Sequence, residues 1–452
     1  YQRFVTDTTE ECFLNEANVL RRITPDIPVF SNISGFIKKL NQFQLTRNMD
    51  IVGWDNYPSP KDDAAFPALK HDIMRGLKDG ASYMVAEQSP NQQNWQPYNK
   101  LKRPGEVRLL AYQGIAHGAD SSLYFQMRQS VGGQEKFHGA VISHAGTDDT
   151  RIFREFEQLG SEFHQLGGQF LDARTNADVG ILFDWDNWWA LELCSGPTKD
   201  MDYLLQVAHY YRAFHKQNIA MDIVKFTSDL DSYKIVVAPL VYMINSGLAE
   251  RLTKFVENGG ILIGTYMTGL TDETDRCIFG AYPGPLRDVF GLWVEETDAL
   301  YPEETNQIIM ENKERQSYSC SFLCDRLRLE NAKALAVYGS DFYAGEPCVT
   351  KNEYGKGKAY YLGTQPDETF LKMFVHSVCE KADVHPVLQV EEGIEVTSRE
   401  NENGKFYFVL NHNTTEKQII LPEGRWKNLI GAQPENGKII LNSRDVAVLK
   451  CQ

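Results

Sequence analysis

At 452 residues the chain has room for about two to four domains, and its apolar and charged fractions, 42% and 24%, are ordinary for a soluble globular protein. A formal net charge of −15 argues against a nucleic acid or an anionic membrane as partner, and no apolar run approaches the ~18 residues of a membrane span. The 8 cysteines are scattered, which suits a reducing cytoplasm; Cys320-x-x-x-Cys324, with no second pair, reads as structural thiols and not as a zinc site.

The chain opens on Tyr1 inside an amphipathic pattern, with Phe4, Phe13, Ala17, Leu20 and Ile23 at roughly helical spacing. A helix with neither cap nor preceding strand suggests an N-terminally truncated fragment, and proline stops it near Thr24-Pro25. Residues 28–32 read as a strand, 33–44 as a helix, and 49–54 as a second strand running into Trp54-Asp55-Asn56-Tyr57-Pro58. The next helix includes 71–77. The run Tyr83-Met84-Val85-Ala86-Glu87 stops at a carboxylate and breaks at Pro90, the pattern of a buried strand with an acidic C-terminal end. A helix over 103–118, a strand over 119–126 and a helix over 151–166 follow, the last with Phe153, Phe156, Leu159, Phe163 and Leu166 on its core face. These are four βα units, half of an eight-stranded barrel.

From about Asp172 the pattern changes. Strands at 177–183, 221–224, 233–239 and 261–264 alternate with helices over 203–217 and 248–258, as in an open parallel sheet. Such a sheet raises a glutamine-amidotransferase-like hydrolase as a rival. That chemistry needs a cysteine at a sharp strand-to-helix turn, and Ile263-Gly264-Thr265-Tyr266-Met267 has none. Trp185-Asp186-Asn187-Trp188-Trp189 reads as an interface patch, and Gly355-Lys356-Gly357-Lys358 as a hairpin, too short for a phosphate loop. Alternating strands at 394–399, 405–411, 418–421 and 446–450, with hairpin dipeptides Asn403-Gly404 and Asn436-Gly437, make a small antiparallel β domain.

Parallel α/β folds carry their chemistry at the C-terminal ends of strands. Glu87 at such an end, Trp95 just beyond it and a glycine-rich loop bearing Glu135-x-x-His138 suit a sugar. The carboxylate attacks or stabilises the anomeric carbon, the indole stacks on the ring, and Glu and His hydrogen-bond hydroxyls. Each has a plainer reading: a satisfied structural carboxylate for Glu87, a core residue for Trp95, a loop cap for Trp54-Asp55-Asn56-Tyr57. Glu135-x-x-His138 also matches half of a di-iron motif, but that requires a second copy and a four-helix bundle. No metal is therefore expected, and His117 and His144 read as structural.

Several motifs together resemble the β-galactosidases of glycoside hydrolase family 42. They are Met84-Val85-Ala86-Glu87-Gln88-Ser89-Pro90, Asn94-Trp95-Gln96-Pro97, Lys102-Arg103-Pro104-Gly105, Ala116-His117-Gly118-Ala119-Asp120, Glu135-Lys136-Phe137-His138-Gly139-Ala140, Trp54-Asp55-Asn56-Tyr57-Pro58, Asp184-Trp185-Asp186-Asn187-Trp188-Trp189 and Tyr282-Pro283-Gly284-Pro285-Leu286-Arg287-Asp288. The resemblance covers essentially the whole chain in order. It implies the C-terminal half of a catalytic (β/α)8 TIM barrel (strands five to eight) over 1–172. A flavodoxin-like α/β trimerisation domain over 173–386 and a small C-terminal β domain over 387–452 would follow. It also implies a homotrimer that hydrolyses β-galactosides with retention and without a cofactor. The nucleophile role maps to Glu87, the galactose-pocket indole to Trp95, the hydroxyl-holding pair to Glu135 and His138, and the tyrosine beside the nucleophile to Tyr57. The family usually has Trp and Arg where Met127 and Val131 stand. Its acid/base glutamate, that residue's arginine partner and its metal-binding cysteines belong to sequence preceding the fifth strand, so this chain by itself is expected to be inactive. A non-catalytic carbohydrate-binding scaffold and an α-L-arabinopyranosidase are the competing readings.

Overall fold

The computed structural model describes residues 1–34, 36–245 and 247–451. It divides into two compact units, 1–176 together with 386–452, and 177–385. Among the described residues no helix is long and apolar enough to cross a membrane.

In the first unit, strands β1 (Asn32–Ile33), β2 (Gly53–Asp55), β3 (Tyr83–Glu87) and β4 (Ala119–Ser122) pair in chain order, all parallel. Helices α1 (Gln2–Ile23), α2 (Gln42–Thr46), α3 (Ala65–Gly76), α4 (Glu106–Ala116) and α5 (Arg151–Leu166) alternate with them, as along one side of a (β/α)8 barrel. The expected strand over 28–32 shrinks to β1. Pro28 has no N–H to give a ladder, and Val29 pairs instead with Asp50, donating its N–H to the Asp50 carboxylate at 2.7 Å. The expected helix over 33–44 is only α2, which starts where the Asn41 side chain accepts from the Gln44 N–H at 3.2 Å; position 35 of that stretch lies outside the described residues. Helix α5 follows its amphipathic pattern, capped by Thr150, with Leu159 and Leu166 buried and Phe153, Phe156 and Phe163 half-buried.

The C-terminal β domain belongs to the same unit. Its strands Ile394–Asn401, Gly404–Asn411, Val446–Cys451 and Trp426–Asn428 form one antiparallel sheet, beside a two-stranded ribbon of Lys417–Ile420 and Lys438–Leu441. Asn436 and Gly437 both take positive φ, 50° and 72°, as a type I′ turn requires. At the other expected turn the dipeptide is displaced by one: Asn401 pairs with Gly404, so Glu402 and Asn403 are the loop and Gly404 opens the strand.

The strand Ile394–Asn401 docks this domain on α4 through Glu395, Thr397 and Arg399, which share one face because side chains alternate along a strand. Glu395 accepts from Gln113 at 2.9 Å and lies 2.6 Å from His117 Nε2. The Thr397 hydroxyl donates to the Ala116 carbonyl at 2.7 Å. Arg399, 0% exposed, donates to the carbonyls of Ile115, Ala119 and Ala173 and to Asp120. The last carbonyls of a helix lack intrahelical partners, and here a neighbouring strand supplies several of them.

In the second unit, the strands Met221–Lys225, Val179–Phe183, Ile235–Ala238, Ile261–Thr265 and Gly357–Leu362 are neighbours in that order and parallel. Numbered along the chain this is the order 2-1-3-4-5 of a flavodoxin-like sheet. Val179–Phe183, Ile235–Ala238 and Ile261–Thr265 are buried along their whole lengths, as parallel strands covered on both faces must be. The sheet continues, unforeseen from the sequence, through antiparallel strands Pro347–Tyr354, Lys333–Tyr338, Asn306–Met310, Ser317–Leu329 and Leu292–Ala299. Gly355-Lys356 is the turn of the expected hairpin. Trp185 and Trp188 do not form a surface patch: they are 0% and 4% exposed and pack edge-on against Phe183 at 5.0 and 5.7 Å. Met267, buried and at φ 63°, follows the strand Ile261–Thr265 where an amidotransferase-type hydrolase would set its nucleophile.

Candidate active site

Strand β3 carries Glu87 to the barrel rim. Tyr83 and Val85 are buried, and Glu87 emerges half-buried at the strand's C-terminal end. Its carbonyl accepts from the Asn56 N–H at 2.7 Å, which ties the exits of β2 and β3 together. Beyond it the Ser89 hydroxyl bonds to the carbonyls of Asn91 and Gln92, turning the chain toward Trp95.

The two oxygens of Glu87 have different donors. The Tyr57 hydroxyl donates to Oε2 at 2.9 Å and the Asn32 amide to Oε1 at 3.2 Å. Burial raises the Tyr57 pKa, and the hydrogen bond and charge of Glu87 raise it further, so the phenol stays protonated and remains a donor. Asp55 ends β2 directly opposite Glu87. Burial, then the charge of Glu87, lifts its carboxyl to about 7.

An aromatic wall stands beside the carboxylate. Trp95, 54% exposed, stacks on His138 with centroids 5.4 Å apart and planes 29° apart. Tyr57 meets both edge-on, at 4.9 and 6.0 Å. The His138 ring is held from behind, with Nε2 3.0 Å from the Phe125 carbonyl and Nδ1 3.2 Å from the Asn94 side chain. A carbonyl only accepts, so Nε2 carries the hydrogen. Burial lowers the His138 pKa, against the opposing pull of that carbonyl and of Glu135 and Glu87. Gly139 lets this loop close on the β3 exit: a Cβ there would stand 2.8 Å from Asn91 Cβ and 3.0 Å from the Gln92 nitrogen.

Of the residues proposed from the sequence, Glu87, Tyr57, Trp95 and His138 lie together. Glu135 sits exposed on the adjoining 3-10 turn Gln134–Phe137. Its charge reaches Tyr57 and His138, while its carboxylate makes no hydrogen bond among the described residues, which leaves it available to a ligand. Met127 and Val131 are exposed, 60% and 96%. Asn32 was missed. Its only sequence signal was its place at the end of the expected strand over 28–32, the kind of position that drew attention to Glu87.

Residues 1–166 match the family model described as beta-galactosidase, 177–385 that of the beta-galactosidase trimerisation domain, and 393–450 that of the beta-galactosidase C-terminal domain. The chain belongs to the glycoside hydrolase family 42 β-galactosidases. It is 48% identical to beta-galactosidase BgaP of Planococcus sp. (strain L4), over 99% of this chain and 67% of that one. To beta-galactosidase bgaB of Geobacillus kaustophilus it is 43% identical, over 100% and 67%. The crystal structure of a β-galactosidase from Bacillus circulans sp. alkalophilus superposes with a TM-score of 0.98 at 45% identity, over 100% of this chain and 67% of that one. The chain thus spans 67% of the length of these family members.

Within this family 42 site, Tyr57→Phe isolates one donor. A hydrogen bond to a charged acceptor contributes roughly 1.5–3 kcal/mol, so kcat of the protein expressed from the complete gene is expected to fall about tenfold to a hundredfold with KM little changed. Steady-state kinetics on an aryl β-galactoside would show it. A fall in affinity alone would mean that Tyr57 serves binding and does not act through the Glu87 carboxylate.

Proposed function

We propose that the protein is a retaining exo-β-galactosidase in which Glu87 is the nucleophile. The observation that carries the reading is one carboxylate at a barrel-strand end, with a separate uncharged donor on each oxygen and a stacked Trp95–His138 wall beside it. Glu87 attacks the anomeric carbon of a terminal β-galactose and the aglycone oxygen departs with the bonding pair. A second carboxylic acid, ~5–5.5 Å away in retaining enzymes, protonates that oxygen and then takes a proton from the water that cleaves the galactosyl-enzyme ester. We assign that acid to the third of the family members' length outside the match. Trp95, backed by the His138 ring, offers the apolar face of the sugar a surface, and Glu135 holds hydroxyls, where an unmatched polar group would be costly.

The unit 177–385 is proposed to assemble three copies, on the strength of the trimerisation-domain match. Among the described residues every cysteine is a free thiol, which supports a cytoplasmic location. The test is to incubate the protein expressed from its complete gene with a 2-deoxy-2-fluoro-galactosyl inactivator and map the labelled peptide. A label on Glu87 is expected. A label elsewhere, or an enzyme inert toward aryl β-galactosides, overturns the reading.

A further inference from the structure

The last residues of β2 and β3, Asp55 and Glu87, lie opposite each other, and the first residue of β1, Asn32, reaches both with its side chain. The Asn32 amide nitrogen lies 3.1 Å from Asp55 Oδ1 and 3.2 Å from Glu87 Oε1. One NH2 group has two hydrogens, so it serves both carboxyl groups at once. A half-turn of that amide would present its oxygen to Glu87, acceptor against acceptor, and the nucleophile would lose a hydrogen bond that its charge strengthens. A second acceptor on the same side as Glu87 prevents the half-turn, and Asp55 is that acceptor. Asp55 is itself 7% exposed, too enclosed to meet a substrate, and its hydrogen-bonded link to the nucleophile is Asn32.

We propose that Asp55 is a positioning residue for the nucleophile: its Oδ1 fixes the Asn32 amide so that Nδ2 meets Glu87 Oε1 while Tyr57 holds Oε2. With a donor fixed on each oxygen, the plane of the attacking carboxylate is set before the sugar arrives. The charged and titratable groups around Asp55 agree with this. Glu87 on β3, with Tyr57 and Glu135 beyond it, supplies no cation to the row. A carboxyl that retains its proton to about 7 lets the amide bridge a neutral acid and a charged one, where two charged carboxylates would repel. The inference rests on Glu87 being the nucleophile.

The experiment uses the protein expressed from the complete gene and four variants: Asp55→Ala, Asn32→Ala, the double variant, and Asp55→Asn. The readouts are KM, kcat, and the rate of covalent labelling by the 2-deoxy-2-fluoro-galactosyl inactivator at saturation. Asp55→Ala and Asn32→Ala are each expected to slow labelling and kcat about tenfold to a hundredfold, the scale of a small misplacement of reacting groups, with KM nearly constant. The double variant is expected to be no slower than either single one, because the two residues act as one device. Asp55→Asn keeps an acceptor oxygen and mimics the protonated acid, so it should recover most of the rate. An unchanged labelling rate in Asp55→Ala, or full additivity in the double variant, overturns the proposal. Asn32 is exposed, so Asn32→Ala should fold even where Asp55→Ala does not, and an unchanged rate in that variant alone is also fatal. If these variants behave as wild type while the label sits on Glu87, the positioning role fails and the nucleophile stands. A label on another residue removes the nucleophile reading itself.

Discussion

Glu87→Gln in the protein expressed from the complete gene is expected to lower turnover of an aryl β-galactoside by a factor on the order of 10⁴ to 10⁶, the scale seen when a nucleophile is removed from an otherwise intact site. The amide has nearly the shape of the carboxylate, so the fold has little reason to respond. The new amide oxygen still accepts from Asn32, and the new NH2 then faces Tyr57, whose hydroxyl rotates about its C–O bond to accept from it. The charge does not survive. An amide cannot form the galactosyl ester, and it does not stabilise the cationic character that grows at the anomeric carbon. Binding should suffer far less than chemistry, because Trp95, the His138 ring behind it and Glu135 are untouched. Single-turnover kinetics alongside a binding titration with galactose separate the two effects. Near-normal turnover would take the nucleophile role from Glu87.

What could be read from the sequence followed from local chemistry. Glu87 was legible because a short apolar run ended in a carboxylate before a proline, and β3 ends there. The parallel core of 177–385 was legible because strands covered on both faces are continuously apolar, as Ile235–Ala238 is. Features set by distant partners were not. Glu395, Thr397 and Arg399 alternate as the outward polar face of a strand would, yet Glu395 and Arg399 are buried and Thr397 is half-buried. The α4 carbonyls, His117 and Asp120 that complete them lie some 280 positions earlier in the chain. The tryptophans near Asp184 suggested an interface because aromatic clusters often mark one, but Phe183 and Tyr203 enclose them. Asn32 belongs to the same class: an asparagine opening a two-residue strand has no pattern of its own, and only the pairing of β1 with β2 and β2 with β3 brings its amide to Glu87.

His117→Leu is expected to destabilise the unit formed by 1–176 and 386–452 by about 3–5 kcal/mol, the cost of breaking a buried ion pair by removing one partner. His117 caps the C-terminus of α4. Its Nδ1 lies 2.8 Å from Asp72 and its Nε2 2.6 Å from Glu395, so both nitrogens must donate and the ring is an imidazolium. Burial by itself pushes its pKa down, but the two carboxylates push harder, and the result is about 9. Its stacked neighbour His71, centroid 6.2 Å away, goes the other way: burial first, then the His117 charge, brings it to about 3. The pH dependence follows from these directions. The His117 contribution is complete below the unfolded value of 6.5 and is lost as pH rises through about 9, a change of about 3 kcal/mol for the roughly 2.5 units between them. For His71 the folded state refuses a proton that the unfolded chain accepts, so stability falls as pH drops from 6.5 toward 3. Together the pair favours a maximum near 6.5. Urea denaturation of wild type and His117→Leu at pH 6.5 and 9 should show the wild type losing stability between the two and the variant, already weak, losing much less. Coincident curves at pH 6.5 would mean that the imidazolium does not hold the C-terminal β domain on α4.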